Sequence, residues 1–296
     1  MNYQIKNSHI SAQINSFGAQ LNSLKKVDDK SDKNLEYIWQ ANPEYWNRHA
    51  PILFPIVGRL KDDEYFYKEK TYKMTQHGFA RDCEFELVKQ EDDYLKFRLL
   101  SNEKSLEIYP FLFELDISYE LIENKLVISY EVKNKTNGEM YFSIGAHPAF
   151  NWPLNSNENN ETKNDAFFEF DNISKTKRYF LNDKGLVYDN SDLEILENKI
   201  PLSEELFKDD ALVFNDLSIK TVAFKNTKNN KYIKLDFDMF AYLGLWSKPS
   251  GAPFLCIEPW IGVADSFDSS KKLEEKTGII KLEIDEVFTS FYSIEI

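Results

Sequence analysis

FELDISYEL (residues 113–121) is the stretch that decides the fold. Apolar and aromatic residues occupy every second position, and Glu, Asp, Ser and Glu stand between them. Successive side chains of a β-strand point to opposite faces of a sheet, so this period of two predicts a strand with one buried and one solvated face. Such alternation is typical of antiparallel sheets.

Two further runs continue this pattern along the chain. LVISYEV (126–132) follows after a short polar break and alternates in the same way, which predicts a hairpin or meander with the first strand. MYFSI (140–144) is a third strand candidate and leads directly into GAHPAFN (145–151). The histidine of that segment, His147, is therefore expected just past a strand end.

The same period returns near both ends of the sequence. ISAQI (10–14) and IKLDFDM (233–239) alternate between apolar and polar residues. With no internal repeat and no shift in composition to mark a boundary, we interpret residues 1–296 as one all-β domain, an extended antiparallel fold.

Helical periodicity is scarce in this sequence. Residues 42–48 and 203–207 could each form a short helix, the second with Ser203 as N-cap. Two polar stretches, 28–34 and 155–165, are interpreted as excursion loops because strand patterns resume on either side of each.

Composition narrows the class of partner. The formal net charge is −13 and the pI is near 4.9, so the surface as a whole would repel nucleic acid and anionic membranes. A small, locally recognised ligand fits this charge better.

The first residues lack the cationic and apolar regions of a signal peptide, and no run approaches the length of a membrane span, so we expect a cytoplasmic protein. Cys83 and Cys256 are too far apart for a CxxC site and are expected to be reduced.

Four short segments combine Gly or Pro with residues that can donate, accept or transfer a proton. Because glycine permits close backbone approach and proline fixes a bend, such segments tend to lie where strands end and a cleft begins. They are PILFPIVGRL (51–60), HGFARD (77–82), GAHPAFN (145–151) and CIEPWIGVAD (256–265).

Glu258 and His147 each allow a functional and a structural interpretation. Glu258 follows a buried strand pattern, so it is either a general base with a pKa raised by desolvation or a carboxylate paired with a cation such as Arg59. A lone histidine near apolar residues is more often a core ring than an acid, and His77 before Gly78 has the same ambiguity.

Arginines and tryptophans near these segments are also ambiguous. Arg59 and Arg81 are either ion-pair residues or donors to sugar hydroxyls or phosphate. Trp152, Trp246 and Trp260 are core aromatics unless they border a cleft, where their flat faces would suit a sugar ring.

The spacing of the possible metal ligands and the lack of nucleotide-binding motifs argue against metal and nucleotide chemistry. His77, His147 and Glu258 could in principle hold zinc or iron, but none of these residues stands in an HxH or HExxH motif. GxGxxG, GxxxxGK and GxSxG are absent from the sequence. We therefore expect no metal and no cofactor.

The four segments in this order, together with FGAQLNSL (17–24), resemble the aldose 1-epimerase (galactose mutarotase) family, and most closely its LacX-like branch. The resemblance covers nearly the whole chain. It implies a large antiparallel β-sandwich of the galactose mutarotase type, with few short helices and the sugar bound in a cleft on one sheet. It also implies a cofactor-independent isomerase.

The resemblance assigns roles to individual residues. It implies that Glu258 is the general base and His147 the general acid of ring opening, with His77 and Arg59 positioning the sugar. Asp210, with Asp209 adjacent, is the candidate for an aspartate that holds sugar hydroxyls. The full set of predicted substrate-binding residues is His77, Arg59, Asp210, Arg81 and Trp246.

Three functions are consistent with these features. The first is an aldose 1-epimerase that interconverts the α and β anomers of a hexose. The second is a hexose-6-phosphate mutarotase, with Arg59, Arg81 and Lys248 as a cationic rim. The third is a non-catalytic sugar-binding protein of the same fold. The sequence leaves open whether the protein forms a homodimer.

Overall fold

A computed structural model describes residues 1–27, 35–154, 161–215, 218–249 and 251–296. The predicted loop at 28–34 and the first six residues of the loop at 155–165 lie outside the described residues.

Strands dominate the described part of the chain. They are β1 (Asn2–Lys6), β2 (Ile10–Asn15), β3 (Gln20–Lys26), β4 (Ile52–Leu53), β5 (Glu64–Tyr67), β6 (Lys70–Lys73), β7 (Glu86–Gln90), β8 (Tyr94–Leu100), β9 (Phe113–Ile122), β10 (Lys125–Asn134), β11 (Met140–Phe142), β12 (Ile144–Ala146), β13 (Ala149–Asn151), β14 (Ala166–Phe170), β15 (Lys175–Leu181), β16 (Val187–Glu194), β17 (Lys199–Pro201), β18 (Leu212–Phe214), β19 (Thr221–Asn226), β20 (Tyr232–Asp236), β21 (Tyr242–Trp246), β22 (Phe254–Ile261), β23 (Ile280–Leu282) and β24 (Val287–Glu295).

Helices in the described residues are few and short. One α-helix, α1, spans Glu103–Ile108. Short 3-10 segments occupy Lys61–Asp63, Ala80–Asp82, Lys163–Asp165, Leu196–Asn198, Glu204–Phe207 and Leu273–Glu275. None of these helices has the length and hydropathy needed to cross a bilayer.

Two large antiparallel sheets form the sandwich. The first has nine strands in the order β17-β14-β19-β20-β24-β10-β9-β8-β7. The second has the order β16-β15-β18-β21-β22-β12-β4, and β13 also pairs with β22. Smaller sheets are formed by β1-β2-β3, β5-β6 and β11-β23. The predicted all-β, antiparallel sandwich is therefore confirmed.

Strands β9 and β10 form the predicted hairpin. Leu121 pairs with Leu126 and Ile117 with Tyr130, and the alternating apolar positions from Phe113 to Leu121 and from Leu126 to Val132 are buried. Asp116 departs from the expected pattern, since it lies on the polar face and is nonetheless buried. The cations of its neighbours on β8, Lys96 and Arg98, cover its carboxylate at 2.6 Å each.

Aromatic side chains join the two sheets across one core. The ring centroid of Phe113, in the nine-stranded sheet, lies 5.1 Å from that of Phe54, which follows β4. The ring centroid of Phe170 lies 6.4 Å from that of Phe214 in β18. Three of these four rings are at most 1% exposed and Phe170 is 3% exposed. Burial of one such side chain contributes about 1.5–3 kcal/mol, so this layer holds the sheets face to face.

Two local predictions need correction. Residues 42–48 form a single turn and no helix, because the indole of Trp39 donates to the carbonyl of Trp46, which a continuing helix would use. The short helix predicted at 203–207 is present as a 3-10 segment, Glu204–Phe207, with Ser203 at the N-cap position but without a side-chain capping bond. The strand predicted to run to 239 ends at Asp236. Helix α1, capped by Asn102 and Ser105, was not predicted.

Candidate active site

The register of the eight-stranded sheet places His147 opposite Glu258. Strands β12 and β13 both pair with β22, Gly145 with Trp260 and Ala149 with Cys256. His147 and Pro148 stand between these two short strands, so the same register brings His147 to the position facing Glu258. Nε2 of His147 lies 3.1 Å from Oε2 of Glu258. Residues 111 positions apart in sequence thus meet as neighbours on adjacent segments of one sheet.

A cavity of about 320 Å³ opens above this pair. Its volume lies at the small end of the range for small-molecule sites, about 300–1,000 Å³. Six of the seven predicted site residues line it. The lining is Trp46, Gly58, Gln76, His77, Arg81, His147, Leu181, Gly185, Asp210, Ala211, Val213, Trp246, Glu258, Trp260, Val263 and Ala264.

Burial shifts the protonation of both members of the pair. Glu258 is 1% exposed, and loss of hydration together with the nearby charge of Asp210 raises its pKa well above the ordinary range. Burial, with a smaller contribution from the Arg81 charge, lowers the pKa of His147 to about 3. Both shifts disfavour the charged form of the group, as expected where water is excluded.

His77 is held in a left-handed backbone conformation at φ 68°. Its Nδ1 accepts a hydrogen bond from the backbone N–H of Gly58 at 3.1 Å. Burial and the neighbouring His147 lower the pKa of His77 well below its usual value, so the ring is neutral. Because Nδ1 is an acceptor, the neutral ring carries its proton on Nε2 and offers one donor. Left-handed residues other than glycine are uncommon and cluster at functional sites.

Asp210 shares this backbone feature, with φ 76°. Its Oδ1 accepts from the N–H of Ala211 at 2.8 Å, and the residue lies in the turn that precedes β18. Asp210 lines the cavity and Asp209 does not. Of the two adjacent aspartates named from the sequence, the structure therefore brings Asp210 to the pair.

Arg81 is the one arginine among the described residues that line the cavity. Its Nη2 donates to the carbonyl of Gln76 at 2.5 Å, while its buried Nε has no hydrogen-bond partner among the described residues. Burial lowers the pKa of Arg81 to about 10, which leaves it cationic at neutral pH. The site therefore has one positive charge in its wall.

Arg59 lies outside the lining, in contrast to the other predicted residues. Its guanidinium makes a bidentate pair with Asp63, at 2.8 and 2.7 Å, and is 42% exposed. This pairing lowers the pKa of Asp63. Lys248, predicted as part of a cationic rim, also lies outside the lining and donates to the carbonyl of Tyr45 at 2.8 Å.

Three tryptophans form the aromatic walls. Trp246 and Trp260 line the cavity, as their positions near the predicted cleft suggested, whereas Trp152 is buried against Phe207. Trp46 was missed, because nothing in its local sequence distinguishes it from a core residue. Its ring stacks on His147 with centroids 4.9 Å apart.

Sequence comparison identifies the family. A family model described as aldose 1-epimerase matches residues 1–276. The chain belongs to the aldose 1-epimerase family. Within this family it is 35% identical over 290 residues to the plasmid-encoded and chromosomal LacX proteins of Lactococcus lactis subsp. lactis, with 95% of each chain covered.

Two solved structures of galactose mutarotase-like proteins resemble this chain over its whole length. A galactose mutarotase related enzyme from Lactobacillus acidophilus is 38% identical, with a TM-score of 0.92 over 100% of this chain and 97% of that one. A galactose mutarotase-like protein from Lactobacillus casei ATCC 334 is 29% identical, with a TM-score of 0.90 over 100% and 99%.

This aldose 1-epimerase family member also carries a group of potential metal ligands at the pair. Donor atoms of His147, Cys256 and Glu258 all lie within 4.8 Å of one another. The sequence suggested His77, His147 and Glu258 as a possible metal-binding set, whereas the structure groups Cys256 with His147 and Glu258. Both cysteines are free thiols, and Cys256 is completely buried.

Proposed function

We propose that this protein interconverts the α and β anomers of a free hexose by acid–base ring opening. The observation that carries the proposal is the contact of Glu258 with His147, 3.1 Å apart at the base of a cavity sized for a monosaccharide. Family membership supports the same reaction class.

The chemistry needs one base and one acid near the anomeric carbon. The base removes the proton of the anomeric hydroxyl while the acid protonates the ring oxygen, and the ring opens to an aldehyde. Rotation about the bond between C1 and C2 exposes the other face of the aldehyde before the ring closes. Both reacting oxygens are bonded to C1, so the adjacent side chains of Glu258 and His147 can serve one each.

Burial favours the form of the pair that holds a single proton. It raises the pKa of Glu258 and lowers the pKa of His147, which favours a protonated carboxyl beside a neutral ring, and transfer of that proton between them gives a carboxylate and an imidazolium. The proton count is the same in both arrangements, so the pair contains the base and the acid that ring opening requires. Sugar hydroxyls that solvate the ionic arrangement would favour it.

Neighbouring residues supply the groups that would orient a sugar. His77 offers a donor at Nε2 and Asp210 offers carboxylate oxygens, which suits hydroxyl groups. Trp46 and Trp246 give flat walls against which the apolar face of a pyranose ring can pack.

A hexose 6-phosphate is the second candidate substrate, and the Arg81 guanidinium in the lining is the observation that favours it. Its Nε makes no hydrogen bond among the described residues and pairs with Asp82 only at 3.8 Å. Other cations near the cavity pair more closely with acids, Arg59 with Asp63 at 2.7 Å and Arg48 with Asp82 at 2.9 Å. Because the described lining holds one arginine and also the carboxylate of Asp210, we favour an unphosphorylated sugar.

The test is NMR exchange spectroscopy between anomeric proton signals, with a panel of glucose, galactose and their 6-phosphates. We expect exchange above the uncatalysed rate with a free sugar, and a loss of about 10² to 10⁴ in Glu258→Gln. Glu161→Gln is the matched control, since Glu161 is also buried but lies outside the cavity lining.

Three outcomes would redirect the assignment. Near-parental exchange in Glu258→Gln would remove Glu258 from the mechanism. Faster exchange with a 6-phosphate than with the free sugar would favour the phosphate-specific alternative. Sugar binding without any enhanced exchange would support a non-catalytic binding protein.

A further inference from the structure

Cys256 extends the buried acid–base pair into a set of three ligand types. Cys256 and Glu258 lie two residues apart on β22 and therefore project from the same face of the sheet. His147 faces Glu258 from the link between β12 and β13. One imidazole nitrogen, one sulfur and one carboxylate oxygen thus lie within 4.8 Å of one another. His147 and Glu258 line the cavity, whereas Cys256 is fully buried beside them.

The spacing of these atoms suits a tetrahedral metal ion. Two ligands that each lie about 2.0–2.1 Å from zinc are about 3.3 Å apart at the tetrahedral angle. Nε2 of His147 and Oε2 of Glu258 are already 3.1 Å apart. The Cys256 thiol, within 4.8 Å of both atoms, would complete a three-residue set by moving toward them, and His147 and Glu258 border the cavity from which a fourth ligand could approach.

The carboxylate of Glu258 provides further support. Its Oε2 is buried and contacts Nε2 of His147 at 3.1 Å, but it makes no hydrogen bond of good geometry among the described residues. Buried polar groups are nearly always paired, so each exception calls for a physical reason. An ion bound at this position would give the carboxylate oxygen a strong partner.

Charge balance favours a divalent ion with affinity for sulfur. A thiolate and a carboxylate carry two negative charges and the imidazole is neutral, so a divalent ion gives a complex with no net charge. A neutral complex is suited to a site in which isolated charges are costly. Mixed nitrogen and sulfur ligands select zinc and similar ions over magnesium or calcium.

We propose that Zn²⁺ binds His147, Cys256 and Glu258 and thereby inhibits the enzyme. Binding releases the thiol proton and the proton that Glu258 and His147 share, and involves no change of oxidation state. The bound ion occupies both groups that would transfer protons. Metal binding stands on the geometry alone, whereas the inhibition rests on the proposed function.

Direct binding is tested with Cd²⁺ as a spectroscopic probe, on protein without a polyhistidine tag. Cd²⁺ ligated by a thiolate gives an ultraviolet charge-transfer band, which reports the cysteine whether or not the protein is active. We expect the band in the parent and in the matched control Cys83→Ala, and its loss in Cys256→Ala. Cys256→Ser is a second variant that conserves side-chain volume. Absence of the band from Cys83→Ala would overturn the proposal.

Inhibition is tested by the rate of anomer exchange with increasing Zn²⁺, each variant being compared with its own metal-free rate. We expect Zn²⁺ to inhibit the parent and Cys83→Ala, EDTA to restore the rate, and Mg²⁺ to have no effect. Loss of one ligand should raise the inhibitory Zn²⁺ concentration at least about 10-fold in Cys256→Ala. Equal sensitivity of Cys256→Ala and Cys83→Ala would contradict the proposed site. A protein that binds Cd²⁺ but shows no exchange on any sugar would instead refute the proposed function.

Discussion

The indole of Trp46 stacks on the imidazole of His147, with ring centroids 4.9 Å apart and planes inclined by 29°. This stacking contact constrains the plane of the His147 ring. Because such aromatic pairs contribute about 0.5–1.5 kcal/mol, we expect Trp46→Ala to lower kcat/KM by about 2- to 10-fold.

Trp46→Phe is the control for this prediction, since it keeps a flat ring over His147. Steady-state NMR or polarimetric rates should return close to the parental value in Trp46→Phe. If Trp46→Phe and Trp46→Ala lost activity equally, the stacking contact would not be the cause.

The activity should have an unusually broad acidic plateau. Burial lowers the pKa of His147 to about 3 and raises that of Glu258 well above its ordinary value. The pair therefore gains a second proton only well below pH 6.5 and loses its single proton only above the raised pKa of Glu258. We expect kcat/KM not to fall as the pH is lowered from about 7 to about 5.

The measurement is a pH–rate profile, with circular dichroism at each pH to confirm that the protein remains folded. An acidic limb with its midpoint near the ordinary histidine pKa of about 6.5 would contradict the expected burial effect.

Lys276 and Asp265 form a buried ion pair behind the cavity wall. Their charged atoms are 3.1 Å apart, and Nζ of Lys276 also donates to the carbonyl of Val263 at 2.6 Å. Removing one partner leaves an uncompensated buried charge, so Lys276→Met should lower the free energy of unfolding by about 3–5 kcal/mol. Urea denaturation provides the measurement.

Two comparisons separate burial from charge in this prediction. The exposed pair of Lys272 and Glu275, 2.7 Å apart, is the matched control, and Lys272→Met should cost less than about 1 kcal/mol. The double variant Lys276→Met with Asp265→Leu should recover part of the loss. No recovery in the double variant would indicate that packing, and not the unpaired carboxylate, causes the effect.

Gly244 provides the space for the Trp260 ring. A Cβ atom at Gly244 would lie 2.7 Å from the Trp260 indole, closer than side-chain atoms approach in folded proteins. Gly244→Ala should therefore displace Trp260 toward the cavity, cost about 1–3 kcal/mol and raise KM for the sugar. Combining it with Trp260→Phe should relieve the clash, and failure to restore stability would argue against this cause.

Much of the fold could be predicted from local patterns. The strict alternation at 113–121 and 126–132 identified strands β9 and β10, because one face of each is buried over its full length. Asp116 could not be predicted as buried, since its environment depends on Lys96 and Arg98 from the next strand. The turn at Trp46 likewise depends on a distant contact with Trp39.

The site residues were predictable by type but not by arrangement. Glu258, His147 and His77 stood out because polar residues in apolar, Gly- or Pro-bearing segments are costly unless they have a use. Their convergence depends on the register of β22 with β12 and β13, which no local pattern specifies. Arg59 was also predicted as a site residue, but its guanidinium pairs with Asp63 and is not part of the cavity lining.

Glu258 stands on β22, and His147 stands in the two-residue link between β12 and β13, which both pair with β22. Trp46, Gly185 and Asp210 reach the cavity from longer connections between strands. Under the proposed function, the proton-transfer pair and the side chains that would orient the sugar therefore lie in separable parts of the chain. Loop exchange among relatives could alter which sugar is accepted while the proton-transfer pair keeps its spacing. For protein engineering, the turns at 182–186 and 208–211 are the places to diversify, and the sheet is the part to leave intact.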